Sequence, residues 1–470
     1  MLRGLFFILI AAASPLFADT LSREAYLAQV RQGNRGFVSM KAADVALGLA
    51  SYEPDTLLSP YLSASVGYFD DQAEQPISFQ PQRTTATQWE LGLNKQFDVT
   101  GTRLSLGYKG SNSDLALPNF TTGVLGDVYF GQNTYSLGLV QPLLKDFGAR
   151  NHSIQKRKAD ASTGSARLMN KYAAAATLFE AETAYISLAA ARQVAVLLEE
   201  SLERNEKILE WTKDKYGDNL VDKVDLLQVE AALRQVKSGL NGARQELKNA
   251  AEKFNTLRGA ASTAEIGELS AFDAPTQLSR SAEDRLDLQA AAKGVEGNEV
   301  AAEEVEERYY PDLSVIAQVA GNGGDAPAPT GKGDSWYPDH PTYLVGLKLS
   351  TTLDLPLYHK VVDAASMAVS IGKDDVAQKK LKAELDWKTL QGEWASLQEQ
   401  LVLARELEDI QKEKAEREKK RYQDGRTTNF QVLRFDEDYA QARIGTLRLT
   451  AQAAILAAQA SFYNGGGISW

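Results

Sequence analysis

The chain has 470 residues, a net charge of −11 and a pI near 5.1, a length that allows roughly two to four ordinary domains or one large elongated one. Its acidic balance argues against nucleic acid, because phosphate neutralisation needs a basic surface and none stands out. The absence of cysteine excludes disulfides, thiolate metal sites, thiol nucleophiles and an acylated N-terminal cysteine together.

The first residues read as an export signal. Arg3 supplies a positive start, Leu5 to Ala13 form a short apolar run, and a break at Ser14-Pro15 follows. The cut is expected after Ala18; Leu16 is a large residue for the −3 position, which leaves Ala13 as the other site. No later apolar run approaches the roughly 18 residues that a spanning helix requires, so any membrane crossing must use strands.

Four segments of strict alternation come next. Leu62, Ala64, Val66 and Tyr68 alternate with Ser63, Ser65 and Gly67, and Trp89, Leu91, Leu93 and Lys95 alternate with Glu90, Gly92 and Asn94. Leu104, Leu106 and Tyr108 oppose Ser105, Gly107 and Lys109, and Tyr135, Leu137 and Leu139 oppose Ser136 and Gly138. Two more runs follow much later, Leu313 to Val319 and Tyr343 to Leu349. Each is apolar on one face and has an aromatic at or near an end, as a tilted transmembrane strand should, although a half-buried strand of a soluble sandwich alternates in the same way. Asp98-Val99-Thr100-Gly101 makes a tight turn, whereas Phe69 to Thr87, Ser111 to Asn133 and Gly321 to Pro341 are long polar connections. Short turns on one side and long loops on the other fit an outer-membrane barrel.

All prolines avoid two stretches, Leu143 to Ala274 and Leu357 to Trp470. Both are rich in strong helix formers, and proline would break the backbone ladder there. The expected helices are Ser153–Tyr216, Asp222–Leu257, Val361–Tyr422 and Asn429–Tyr463, the first of them roughly 95 Å long. Helices of this length call for coiled-coil packing. Their connecting turns place Asn219 and Gly425 where a left-handed residue ends a helix, and Asp222 and Thr428 at the next N-cap.

These two hairpins are copies. Lys215-Tyr216-Gly217-Asp218-Asn219-Leu220-Val221-Asp222 lines up with Arg421-Tyr422-Gln423-Asp424-Gly425-Arg426-Thr427-Thr428 at an offset of 206, and the register runs without a gap to Gly259 and Gly465. Six strands, or four if the Trp89 to Tyr108 hairpin stands outside, are fewer than the roughly eight needed to close a barrel, and an open edge cannot sit in lipid. Strands in the membrane therefore require several copies; three would give roughly 12 or 18 strands.

Little supports an enzyme. His152, His340 and His359 lack metal-ligand spacing. Glu303, Glu304, Glu306 and Glu307 are expected on a solvated helix face, and Gly321 to Gly333 lacks the following helix of a phosphate-binding loop. No metal or cofactor is expected. A soluble periplasmic coiled-coil scaffold or adaptor is the alternative reading.

The order of elements, the Gln141-Pro142-Leu143-Leu144 passage with Gly148, and Tyr422 and Gly425 followed by Val432-Leu433 resemble the outer membrane efflux protein (TolC) family over nearly the whole chain after Ala18. The resemblance implies a mainly α fold with membrane β-strands: a homotrimer whose duplicated helical hairpins form an α-barrel and whose strands share one transmembrane β-barrel in the outer membrane of a Gram-negative bacterium. It divides the chain into a signal (1–18), an N-terminal periplasmic helix region (19–59), a first strand group (60–142), a first hairpin (143–259), an equatorial segment and helix (260–309), a second strand group (310–357), and a second hairpin with the C-terminal segment (358–470). It implies an exit duct for an efflux or type I secretion system, meeting a periplasmic adaptor and an inner-membrane transporter at the tips, Asn219, Leu220, Val221, Gly425, Arg426 and Thr427. The family narrows its tunnel with acidic residues just after the second tip; the matching places here hold Gln431 and Arg434, so that acidic ring is absent, and of the implied gate residues Asp225, Gln431 and Arg434 only Asp225, after the first tip, agrees with the family.

Overall fold

The computed structural model describes residues 20–72, 81, 83–116, 128–273, 275, 277–278, 285–324, 340–424 and 426–463. The export signal, Gly425 and 464–470 lie outside them, as do parts of the three long loops. The chain divides into two compact units, one of Met1–Val45, Leu168–Gln289 and Ala377–Trp470, the other of Ala46–Arg167 and Ala290–Val376.

The elements are α1 (Arg23–Gly33), α2 (Arg35–Ala50), a 3-10 turn (Glu53–Leu58), β1 (Tyr61–Asp71), β2 (Arg83–Gln96), β3 (Arg103–Ala116), β4 (Val128–Pro142), α3 (Arg150–Gly217), α4 (Lys223–Leu257), α5 (Leu286–Tyr309), β5 (Asp312–Gly324), β6 (His340–Ser350), α6 (Leu355–Gln423) and α7 (Asn429–Tyr463). The duplication is written into the helix ends. Shifted by 206, the bounds of α4 fall on those of α7, and the end of α3 falls on the end of α6.

Both long helices begin earlier than expected. Before α3 the chain turns a corner in which Asp146, Gly148 and Ala149 are left-handed, with φ of 61°, 67° and 51°. Asp146 Oδ1 accepts from Asn151 N at 3.0 Å, so the helix starts directly after the corner. Before α6, Asp354 Oδ1 accepts from Leu357 N at 3.1 Å, and Pro356 falls in the first turn, where no backbone donor is needed.

The strand-bearing unit holds one antiparallel sheet in the order β1-β2-β3-β4-β5-β6. The hairpin of uncertain place, β2 and β3, therefore sits inside the sheet. Its turn requires Gly101: φ is 70°, and a Cβ there would lie 2.4 Å from the Asp146 carbonyl oxygen.

The other unit packs α1 and the start of α2 onto the helices of the first hairpin. Tyr26, Val30 and Phe37 are buried with Leu178, Tyr185, Leu188 and Phe254, and the Tyr26 ring stacks on Phe254 with centroids 3.9 Å apart. After α4 the chain folds back: Leu21 pairs with Leu269 in a parallel bridge, and Arg192 donates to the carbonyls of Gly267 and Ile266 at 2.6 and 2.9 Å.

Candidate functional site: a one-faced sheet and two hairpin tips

Register turns the alternation of six separate segments into two continuous surfaces. One row crosses the whole sheet as Leu62, Leu93, Leu106, Leu137, Val319 and Tyr343. A row on the opposite face reads Ser65, Glu90, Lys109, Thr134, Asn322 and His340. The first surface is apolar and open, with Val66 79% and Val345 82% exposed. Soluble monomers rarely leave a contiguous apolar patch of this extent uncovered. Its aromatics Tyr68, Trp89, Tyr108, Tyr135 and Tyr343 sit toward the long-loop end, as in the girdle of a membrane barrel.

Polar atoms on the apolar face are tied to one another. Trp89 Nε1 donates to Tyr108 Oη at 3.2 Å, and Tyr108 Oη donates to the buried Asn133 Oδ1 at 2.7 Å. The Trp89 ring lies over Gly110, where a Cβ would come within 2.3 Å of it. At the other end, Lys95 reaches from the same face to the Leu58 carbonyl of the 3-10 turn.

Strands β1 and β6 are the sheet's edges, each bonded to one neighbour. Unpaired edge backbone is tolerated in water but not in hydrocarbon.

Two backbone hydrogen bonds recur at the two tips. Asp218 N donates to Asp214 O at 3.0 Å and Asp424 N to Lys420 O at 3.1 Å. Leu220 N donates to Lys215 O and Arg426 N to Arg421 O, both at 2.8 Å. Asn219 is left-handed with φ of 56°, as its place in the turn predicts. Asp222 is the N-cap of α4, and its N–H donates to Asp225 Oδ2 at 3.3 Å. Leu220, Val224 and Phe430 are exposed apolar residues at this end.

Surroundings separate the copies. Tyr422 and Leu433 are buried in a cluster with Ile208, Val229 and Val432, with Trp211 and Lys215 against the Tyr422 ring. Their counterparts one repeat earlier, Tyr216 and Leu227, are exposed. Of the expected gate residues, Asp225 is held by its own N-cap, Gln431 lies beside Thr427, and Arg434 is exposed. Asp225 and Gln431 are thus held within their own hairpins. Thr427 is further tied to the buried Glu418, which pairs with Arg421 at 3.1 Å.

An ion pair joins the hairpins above the tips. Arg204 Nε of α3 donates to both carboxylate oxygens of Asp436 of α7, at 2.7 and 3.1 Å. Burial pushes the Asp436 carboxyl above its usual range, and Arg204 pulls it partly back. Sequence reading missed this pair, because its partners lie 232 positions apart.

The acidic run on α5 corrects an expectation. Glu303 pairs with Arg157 at 2.6 Å, Glu304 with Lys158 at 2.6 Å, and the buried Glu307 accepts from Asp146 N at 3.0 Å with Arg150 alongside. Only Glu306 of the four is exposed without a role in this seam. The first turns of α3 supply the cations, which a reading of α5 alone does not show.

Among the described residues no helix is long and apolar enough to cross a membrane, and no group of three His, Cys, Asp or Glu is arranged to hold a metal ion. No protein-family model and no curated protein matches the sequence. Solved structures do. The outer-membrane channel OprN superposes with a TM-score of 0.68 at 17% identity, covering 95% of this chain and 90% of that one. The outer membrane protein VceC of Vibrio cholerae gives 0.69 at 14%, covering 95% and 97%, and the MtrE outer membrane channel of Neisseria gonorrhoeae gives 0.67 at 13%, covering 95% and 89%. The chain has the fold of outer-membrane channels, the fold that its resemblance to the TolC family implied.

Proposed function

We propose that this chain is the outer-membrane exit duct of a multicomponent efflux or type I secretion system. Three copies share one barrel of roughly 18 strands, the edge strand β6 of each pairing with β1 of the next. Barrels of this size leave a water-filled lumen, and the face bearing Ser65, Glu90, Lys109, Thr134 and Asn322 lines it. Lipid covers the opposite face. The duplicated hairpins enclose a periplasmic tunnel, and Asn219, Leu220, Val221, Gly425, Arg426 and Thr427 meet a periplasmic adaptor that couples the duct to an inner-membrane transporter. Asp225, Gln431 and Arg434 line the narrow end.

The observation that carries this reading is the six-stranded sheet with one apolar face and two edges that are unpaired among the described residues. A soluble scaffold would leave that face in water. The tips add a second argument. Tyr422 and Leu433 are buried against the other hairpin, while Tyr216 and Leu227 leave the same surface open on the first copy. A ring of repeated hairpins needs one such contact within each chain and one between chains, a head-to-tail interface that closes. Flow through the duct is passive, driven by the transporter behind it.

Reconstitution tests the reading. Full chain in planar bilayers should give discrete ion-conducting steps, and cells lacking their own duct should regain export when it is expressed. A protein that fractionates with the soluble periplasm and never conducts would refute it.

A further inference from the structure

One cavity of the molecule combines fixed charge with an apolar wall. It lies between α3 of the first hairpin and α6 and α7 of the second, has a volume of about 180 Å³, and is lined at one side by the Arg204–Asp436 ion pair. Ile208 and Val432, both buried, supply the wall, with Trp211 and Tyr439 beside them. Trp211, Lys412 and Lys419 are exposed, so solvent reaches the cavity. A dry cavity of ~150 Å³ accepts a benzene molecule, so this space fits a single ring with a small substituent.

Arg204 is held from one side. Its Nε donates to both oxygens of Asp436, at 2.7 and 3.1 Å, while neither Nη1 nor Nη2 donates a hydrogen bond among the described residues. A planar guanidinium with its terminal N–H groups free matches the geometry of a carboxylate or related oxyanion. The other charges leave room for one. Lys207 pairs with Glu203 at 2.7 Å. Lys412 and Lys419 have no ion-pair partner among the described residues and share the cavity with a single further carboxylate, Glu416. One positive charge is therefore left over, in a chain whose net charge is −11.

We propose that this cavity binds a small aromatic monoanion, an aryl carboxylate or sulfonate. Its ring packs against Ile208, Val432 and Trp211, and its anionic group sits among Arg204, Lys412 and Lys419. An apolar pocket with a few convergent polar groups is the usual form of a small-molecule site. The repeat does not supply a second one. At the 206-residue offset Arg204, Trp211 and Asp436 are matched by Ile410, Arg417 and Glu230. The occupant touches both hairpins, and the folded chain binds it whether or not the duct conducts.

The test uses the full chain purified in detergent, with para-fluorobenzoate as the probe and its fluorine NMR signal as the readout. The site predicts saturable binding of one probe per chain, and binding of the neutral para-fluorobenzamide at least several-fold weaker. Lys412→Gln combined with Lys419→Gln should weaken benzoate binding several-fold. Ala415→Leu, which adds bulk to the cavity lining, should abolish saturation. Lys213→Gln, exposed on α3 and outside the lining, should leave binding unchanged. Both lysines of the double variant are exposed, so it decides the matter even should the Ala415 variant fold poorly. Binding that never saturates, that is as tight for the amide, or that is equal in the double-lysine and Lys213 variants would overturn the proposal.

Discussion

Leu220 and Arg426 stand 206 residues apart at the ends of two different helical hairpins, and each donates its backbone N–H to the carbonyl five residues back at 2.8 Å. The same backbone bond recurs, with Tyr216 matched by Tyr422 and Asp218 by Asp424, while at the apex Leu220 is matched by Arg426 and Val221 by Thr427. On the proposed reading, this shared backbone presents two different apical surfaces to the adaptor.

Charge at the first tip should therefore uncouple export from assembly. Leu220 is 71% exposed, so Leu220→Glu should change stability by less than about 0.5 kcal/mol. Export in a duct-deficient strain should fall to background while the oligomer on mild denaturing gels is unchanged; the same holds for Arg426→Glu. Wild-type export in both variants would count against the tips as the docking surface.

The Trp89–Tyr108–Asn133 chain offers a test of the apolar face. Tyr108→Phe removes the donor to Asn133 Oδ1 and the acceptor of Trp89 Nε1. It should cost about 1–3 kcal/mol, because buried polar atoms are left unpaired. Adding Asn133→Leu should recover part of that loss in lipid. Unfolding in vesicles by denaturant titration reads both variants.

Much of this fold was legible, for identifiable reasons. Proline-free stretches and the 206-residue repeat located the hairpins, and the period of two located all six strands but not their ends: 111–116 of β3 and 128–133 of β4, read as part of a long polar connection, are strand. The starts of α3 and α6 were not legible, because a left-handed Asp146 and a Pro356 in the first helical turn both look like helix breakers in a sequence. Membership of β2 and β3 in the sheet depended on register across strands, which alternation alone does not report. The α5 carboxylates were misjudged for a similar reason: their cations, Arg150, Arg157 and Lys158, belong to α3. Asp225 was found by its position after the tip, but its bond to the Asp222 backbone shows a capping role that the gate assignment must share.

The Arg204–Asp436 pair should make stability depend on pH in a defined direction. Burial raises the Asp436 carboxyl, so its contribution to stability is fully present below the usual carboxylate range and is lost as pH rises through the raised folded value. Arg204→Ala removes the downward pull and deepens that loss. The variant should lose less than the roughly 3–5 kcal/mol of a fully buried pair, since Arg204 is about a third exposed, and should lose more at pH 7 than at pH 4. Asp436→Asn should show little pH dependence. Melting curves at the two pH values decide; a larger deficit at pH 4 for Arg204→Ala would contradict the account.

On the proposed reading, Gln431 and Arg434 line the narrow end, where the family's pattern has carboxylates. Single-channel current should accordingly show little block by polyvalent cations. The double variant Gln431→Asp, Arg434→Asp should become blockable from the periplasmic side, with no change in oligomer yield. Strong block of the unmodified channel would mean that Asp225 alone suffices.

The most direct measurement is the mass and projected symmetry of the detergent-purified particle. The account predicts three copies of the 51.3 kDa chain, roughly 150 kDa without the leader, seen end-on as a threefold hollow ring. A monodisperse single chain that stays in solution without detergent would contradict it.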